Sequence, residues 1–153
     1  DGTLNCMRTD LTQPAEDRLR GKNQRFTGKR AALVEALAAA GRPLTIPQIL
    51  ELKPALAQSS VYRNLQILER AGVVQRIVTT DEHARFELAD ELTGNHHHHV
   101  VCTVCGNVED VPAMDGVEAS LHAAIDQIDR ATGFTTEQHR VDLLGRCRNC
   151  VKG

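Results

Sequence analysis

The sequence predicts an α+β chain in two parts: three helices closed by a β-hairpin, then a small α/β unit pinned by four cysteines. Three observations carry that expectation. Two Cys-x-x-Cys pairs, Cys102/Cys105 and Cys147/Cys150, frame the last third of the 153 residues. The run His96-His97-His98-His99 stands directly before the first pair. Ahead of both, apolar residues recur first at helical spacing and then in two short extended runs, in the order helix, helix, helix, hairpin.

Residues 1–22 lack apolar periodicity and are expected to form a flexible or loosely helical arm. From Thr27 to Ala40 the apolar positions Ala31, Leu33, Val34, Leu37 and Ala38 recur on one face, with Thr27 as N-cap and Gly41 as the stop. Thr45 caps a second, short helix whose first turn contains Pro47 and whose apolar side is Ile46, Ile49 and Leu50. A third helix, about Ser60 to Ala71, buries Val61, Leu65 and Leu68 and presents Tyr62, Arg63, Gln66 and Arg70 elsewhere. Gly72 ends it. Residues 73–78 and 85–88 then read as two strands joined by the polar turn Thr80-Asp81-Glu82-His83. In a unit built this way, a winged helix-turn-helix, the last helix enters the major groove of DNA and the hairpin lies along the backbone.

Charge agrees with that use. The net charge of −2 is unevenly spread: residues 1–90 carry 13 Lys and Arg against 11 acids, and residues 91–153 carry 5 against 9. Arg18, Arg20, Lys22, Arg25, Lys29 and Arg30 fall within 13 residues that contain no acid, a pattern suited to a polyanion. No segment approaches the roughly 20 apolar residues of a membrane helix, and no apolar run after a basic start reads as a secretion signal. A cytoplasmic protein with no membrane partner is expected. The division is 1–22 arm, 23–88 winged helix, 89–95 hinge and 96–153 metal-binding unit; the hinge ADELTGN is polar and contains Gly94.

In the second part, His98–Cys102 and Val108–Val111 read as strands joined by the Cys-x-x-Cys-Gly turn. Met114–Ala131 reads as a helix burying Val117, Leu121, Ala124, Ile125 and Ile128. His139–Leu144 alternates as a third strand and runs into the second cysteine pair. A Cys-x-x-Cys turn offers two thiolates to one ion, and two such turns close a four-sulfur structural zinc site. The 41 residues between the pairs must fold to bring them together. Disulfides or a redox pair are the competing reading, but a redox motif needs a strand–turn–helix context that is absent here. With sulfur closing one site, the histidines are left for another ion. Side chains alternate along a strand, so His97 and His99 share one side and His96 and His98 the other. Cys6 is left over without a role.

The step Ser60-Val61-Tyr62-Arg63-Asn64-Leu65, the wing ending Arg85-Phe86-Glu87-Leu88, the histidine run, Cys102-x-x-Cys105-Gly106 and Cys147-x-x-Cys150 occur in that order. Together they resemble the ferric uptake regulator family of bacterial metal-dependent repressors, over roughly residues 25–150. The resemblance implies a homodimer with an N-terminal winged helix and a C-terminal α/β dimerisation domain, in which a hinge-bound metal locks a DNA-binding shape. It implies a regulatory ion held by His97, His99 and Glu87. It implies a second His/Glu site of His96, His98, Glu118 and His139. Tyr62 and Arg63, beside Ser60, are implied readers of DNA, with Arg25 reaching the minor groove.

The chain departs from the family pattern in three places. Iron-sensing relatives take a further histidine where Arg42-Pro43-Leu44 stands, and zinc-sensing relatives use an acid and a cysteine where Gln75 and Ala89 stand. His83 is the expected replacement, and Asp110 matches an acid that peroxide-sensing relatives use. A site of nitrogen and oxygen donors accepts Fe2+ or Zn2+, with Mn2+ as a further choice, beside the structural Zn2+. The expected function is a metal-dependent repressor of metal-uptake genes binding a palindromic operator, with no enzymatic activity. The alternatives are a peroxide-sensing repressor of the same family and, from other classes, a zinc-scaffolded protein adaptor or a metallohydrolase.

Overall fold

A computed structural model describes residues 10–79 and 83–152. Cys6 and most of the wing turn, residues 80–82, lie outside the described residues. The described chain divides into two compact units, one of residues up to 78 together with 83–94, the other of Thr79 and 95–152.

The first unit contains α1 (Thr12–Arg20), α2 (Gly28–Ala40), β1 (Leu44–Thr45), α3 (Ile46–Leu52), α4 (Gln58–Arg70), β2 (Val74–Ile77), β3 (Arg85–Leu88) and α5 (Asp90–Thr93). Thr27 accepts the Arg30 amide and caps α2. Thr45 and Gln48 form a reciprocal capping box at α3, satisfying two otherwise orphaned amides. The three strands pair antiparallel in the order β1-β3-β2, with Leu44 opposite Phe86 and Val74 opposite Leu88. Leu33, Leu37, Ile49, Val61, Leu65, Leu68, Val73 and Phe86 make one core between helices and sheet.

Two segments are more ordered than their sequence pattern suggests. The arm contains helix α1, whose Ala15 and Leu19 are fully buried in that core. Only two apolar anchors were needed, too few to register as a periodic stripe. Arg18 ties the helix down by donating to the Gly72 carbonyl at 2.7 Å and pairing with Glu91 at 3.4 Å. Gly72 has φ +71° and a Cβ there would stand 3.1 Å from the Arg18 guanidinium, so the position favours glycine twice over. The segment read as a polar hinge also folds, as α5, with Ala89 and Leu92 joining the core.

The second unit contains β4 (His97–Cys102), β5 (Val108–Pro112), α6 (Asp115–Thr132), β6 (Asp142–Gly145) and α7 (Arg148–Val151). Strand β4 is central: β5 pairs with it antiparallel and β6 parallel. Gly106, at φ +73°, makes the turn between β4 and β5. The third strand begins three residues later than the alternation implied, at Asp142 rather than His139. Helix α6 ends at Gly133, φ +72°, as expected, but its apolar stripe does not bury. Val117 and Ile128 are 39% and 54% exposed, and Leu143 and Leu144 on β6 are exposed as well. The helix has the right period, but among the described residues its Leu121 and Ile125 are only half-buried and none of its apolar positions is fully covered. No helix among the described residues is long and apolar enough to cross a membrane.

Candidate metal centres and nucleic-acid interface

The four cysteines meet because β4 and β6 are neighbours. The parallel register sets Cys102 opposite Gly145, and the Thr103 amide donates to the Gly145 carbonyl at 2.8 Å. Cys105 and Cys147 then stand with their sulfurs 3.8 Å apart, and all four sulfurs lie within 4.8 Å of one another. A tetrahedron with zinc–sulfur bonds of about 2.3 Å has sulfurs about 3.8 Å apart, so the donor set fits zinc. Its electrostatics suit a cation. Amides of Cys105 and Cys147 hold the Cys102 thiol down at about 6, while the neighbouring thiols of Cys147 and Cys105 push Cys150 up to about 12. Four thiolates cannot share that space without a positive charge between them.

The histidines divide by strand parity. His96 and His98 rings lie 4.8 Å apart on one side, and His97 and His99 rings 4.9 Å apart on the other. On the first side, α6 brings in Glu118 and the segment before β6 brings in His139. Glu118 lies 2.5 Å from His98 Nε2, 2.9 Å from His139 Nε2 and 3.3 Å from His96 Nε2, and the ligand atoms all converge within 4.8 Å. The His98 contact, with His139 assisting against the effect of burial, holds the Glu118 carboxyl below its ordinary range. Three imidazoles and a carboxylate make a complete donor set for a borderline divalent ion. His122, one turn along α6, touches the His139 ring edge-on at 5.5 Å.

On the second side, His97 Nε2 and His99 Nε2 stand 3.8 and 3.7 Å from one oxygen of Asp110. These distances are too long for hydrogen bonds, so the three groups face a common point rather than each other. Asp110 is placed there by register, directly opposite His99 across the antiparallel pair. His99 is 1% exposed, and its Nδ1 lies 3.2 Å from Asp142, a residue that sequence reasoning passed over. Arg140 grips Asp142 through Nε at 3.1 and 2.9 Å and through a terminal nitrogen at 2.5 Å. Against burial, Arg140 and His99 together hold the Asp142 carboxyl below its ordinary range. A pairing across 43 residues leaves no local signal in the sequence.

In the first unit, Glu87 on β3 faces Gln75 on β2, whose amide donates to it at 2.5 Å. His83 is exposed, its carbonyl accepting from Arg85, and it joins no group of three or more ligand atoms among the described residues.

On α4, Val61 and Leu65 point into the core, leaving Tyr62 54% exposed and Arg63 exposed beside it. Ser60 turns inward instead, bonded to Asn64, which also accepts from the buried Arg30 at 3.0 Å. The basic run is thus only half available. Arg18, Arg20 and Arg30 are engaged within the unit. Lys22, Arg25 and Lys29 are exposed and form no ion pair among the described residues.

The ferric uptake regulator family model matches residues 21–144. The chain belongs to that family. It is 32% identical to the peroxide operon regulator of Bacillus subtilis over 144 residues, covering 90% of this chain and 92% of that protein. It is also 32% identical to the ferric uptake regulation protein of the same organism over 103 residues, covering 67% and 65%. The fold is similar to the ferric uptake regulator of Helicobacter pylori, with a TM-score of 0.73 at 19% identity over 95% of each chain. This ferric uptake regulator family member is a metal-responsive transcriptional regulator with a four-cysteine structural zinc-type site and His/Glu metal sites, and its family binds DNA operators as dimers. The family is not one of enzymes, which removes the metallohydrolase reading.

The site on α6 lies wholly within the second unit, as His96, His98 and His139 face Glu118 there. Replacing His96 and His98 together by Ala is expected to abolish metal binding at this group and weaken metal-dependent DNA binding without abolishing it. Fluorescence anisotropy on labelled operator DNA, with bound metal measured in parallel, checks this. A complete loss of binding would move the controlling ion to this site.

Proposed function

We propose that the protein is a homodimeric, cytoplasmic, metal-activated repressor that binds a palindromic operator and controls metal-uptake genes, of iron or of zinc. The observation that carries it is the pair of nitrogen/oxygen donor sets on opposite sides of β4, beside a complete four-sulfur site. A protein needing zinc only for structure has no use for them. The regulatory ion is held by His97, His99 and Asp110, with Glu87 supplied from the wing and His83 as the further wing candidate. Fe2+, Zn2+ and Mn2+ all suit such a donor set. The uncovered apolar stripe of α6 and β6 supports a second copy as partner.

Tyr62 and Arg63 read the operator from α4, and Arg25 follows the backbone or minor groove. Tyr62→Ala and Arg63→Ala are each expected to weaken operator binding by about 1–3 kcal/mol, with Tyr62→Phe much milder because the ring carries the contact. Undiminished affinity in both alanine variants places the reading surface elsewhere.

The second reading is a peroxide-sensing repressor, favoured by Asp110 standing opposite His99 and by the likeness to the peroxide operon regulator. Genomic fragments captured by the metal-loaded protein, and sequenced, test the proposal. Palindromes upstream of metal-transport genes are expected; palindromes upstream of peroxide-detoxifying genes favour the second reading. Equal capture in chelator contradicts both.

A further inference from the structure

We propose that Asp142 is a positioning residue for the regulatory ion: it fixes which nitrogen His99 offers to metal, and Arg140 fixes Asp142 in turn. The inference rests on the reading of His99 as a ligand and goes one layer deeper.

A neutral imidazole carries one N–H, on either nitrogen, and only the bare nitrogen can bind metal. An ionised carboxylate accepts hydrogen bonds and donates none. Asp142 lies 3.2 Å from His99 Nδ1, so the proton belongs on Nδ1 and the Nε2 lone pair is left facing His97 and Asp110. The backbone holds both partners. His99 and Asp142 are opposite each other in the parallel register of β4 and β6, and the His99 amide donates to the Val141 carbonyl at 3.2 Å. Arg140, two residues before Asp142, binds both carboxylate oxygens, which leaves the carboxylate little freedom to turn away.

The histidine next along the strand shows the contrast. His98 meets Glu118 through Nε2 at 2.5 Å, while its Nδ1 is buried with no hydrogen-bond partner among the described residues. By the same reasoning the Glu118 carboxylate there selects the tautomer protonated at Nε2. An ion arriving at His98 must first displace a proton from the nitrogen it needs, whereas His99 is already set. Carboxylate–histidine–metal chains of this kind orient the ring, and loss of the outer carboxylate typically costs 10–100-fold in metal affinity. The two donor sets on β4 are therefore unequal by construction.

The test uses the dimer with its structural zinc in place and the second metal removed. Long-range proton–nitrogen correlation spectra of nitrogen-15 histidine-labelled protein are expected to show His99 protonated at Nδ1. Protonation at Nε2 in the native protein overturns the proposal without any variant. Asp142→Ala is then expected to mix the tautomers and weaken Mn2+ binding about 10–100-fold, with zinc content and melting unchanged. Asp142→Asn, which accepts the same hydrogen bond without enforcing it, recovers part of the loss. Native tautomer and native Mn2+ affinity in Asp142→Ala contradict the positioning role. His99→Ala separates the two ideas: if it leaves Mn2+ affinity unchanged, His99 is no ligand and the underlying reading fails. If it abolishes binding while Asp142→Ala has no effect, only the positioning role fails.

Discussion

Replacing Cys102 by Ser is expected to release about one zinc per chain, unfold the second unit and dissociate the dimer. Cys102 ends the central strand β4, is buried, and accepts the Cys147 amide at 3.3 Å, so it joins the first cysteine turn to the second. The unit has little else to rely on. Its sheet has three short strands, and none of the residues of α6 is buried. Structural zinc contributes about 10–16 kcal/mol of apparent binding free energy in small sites, and that energy is folding energy. A hydroxyl in place of a thiolate leaves three ligands and a poor fourth. The first unit keeps its own core and is expected to melt separately, so thermal unfolding followed by circular dichroism should lose one transition and keep the other. Full zinc content with a native melt contradicts the structural role. Cys147→Ser is expected to behave in the same way.

The second large effect is functional. His97→Ala with His99→Ala should leave the four-sulfur zinc and the dimer intact while abolishing metal-dependent DNA binding. The proposed ion takes Glu87 from the wing and His97 and His99 from β4, so its ligands belong to two different units. Binding then favours whichever arrangement brings those ligands together, and it can do so only by its differential affinity for the two shapes. Moving an equilibrium from 1:99 to 99:1 takes about 5.5 kcal/mol of such preference, within the reach of several metal–ligand bonds and beyond the reach of one hydrogen bond. Size-exclusion chromatography, zinc analysis and anisotropy on operator DNA separate the outcomes. Wild-type response to metal in the double variant contradicts the account.

The division of the four histidines into two pairs on opposite sides was legible because strand parity is a local property of consecutive residues, whereas Glu87, Glu118 and His139 were suggested only by the family resemblance. The cysteine site was legible because two Cys-x-x-Cys turns leave few alternatives once a fold brings them together. Tyr62 and Arg63 followed from the apolar period of α4, which assigns Val61 and Leu65 inward and so the others outward. Partners fixed by strand register were not legible: Asp142 meets His99 only because β6 lies parallel to β4. Helix α1 was legible only as a flexible or loosely helical arm, because Ala15 and Leu19 are its only buried residues. The α6 stripe was read correctly as apolar and wrongly as buried within the chain, since a sequence does not say whether its own residues or a second copy provide the cover. The basic run overstated the exposed charge, because Arg18 and Arg30 serve carbonyl and amide groups of their own unit.

The central claim is that an ion other than the structural zinc switches DNA binding on. The most direct measurement is anisotropy of labelled DNA from the protein's own promoter while Mn2+, Fe2+ or Zn2+ is titrated into dimer carrying one zinc per chain, with bound metal counted at each step. The account predicts little binding at one zinc per chain and a steep rise as the second metal occupies its site, with the zinc retained throughout. Equal affinity before and after the second metal binds, or a response that tracks only loss of the cysteine-bound zinc, would contradict it.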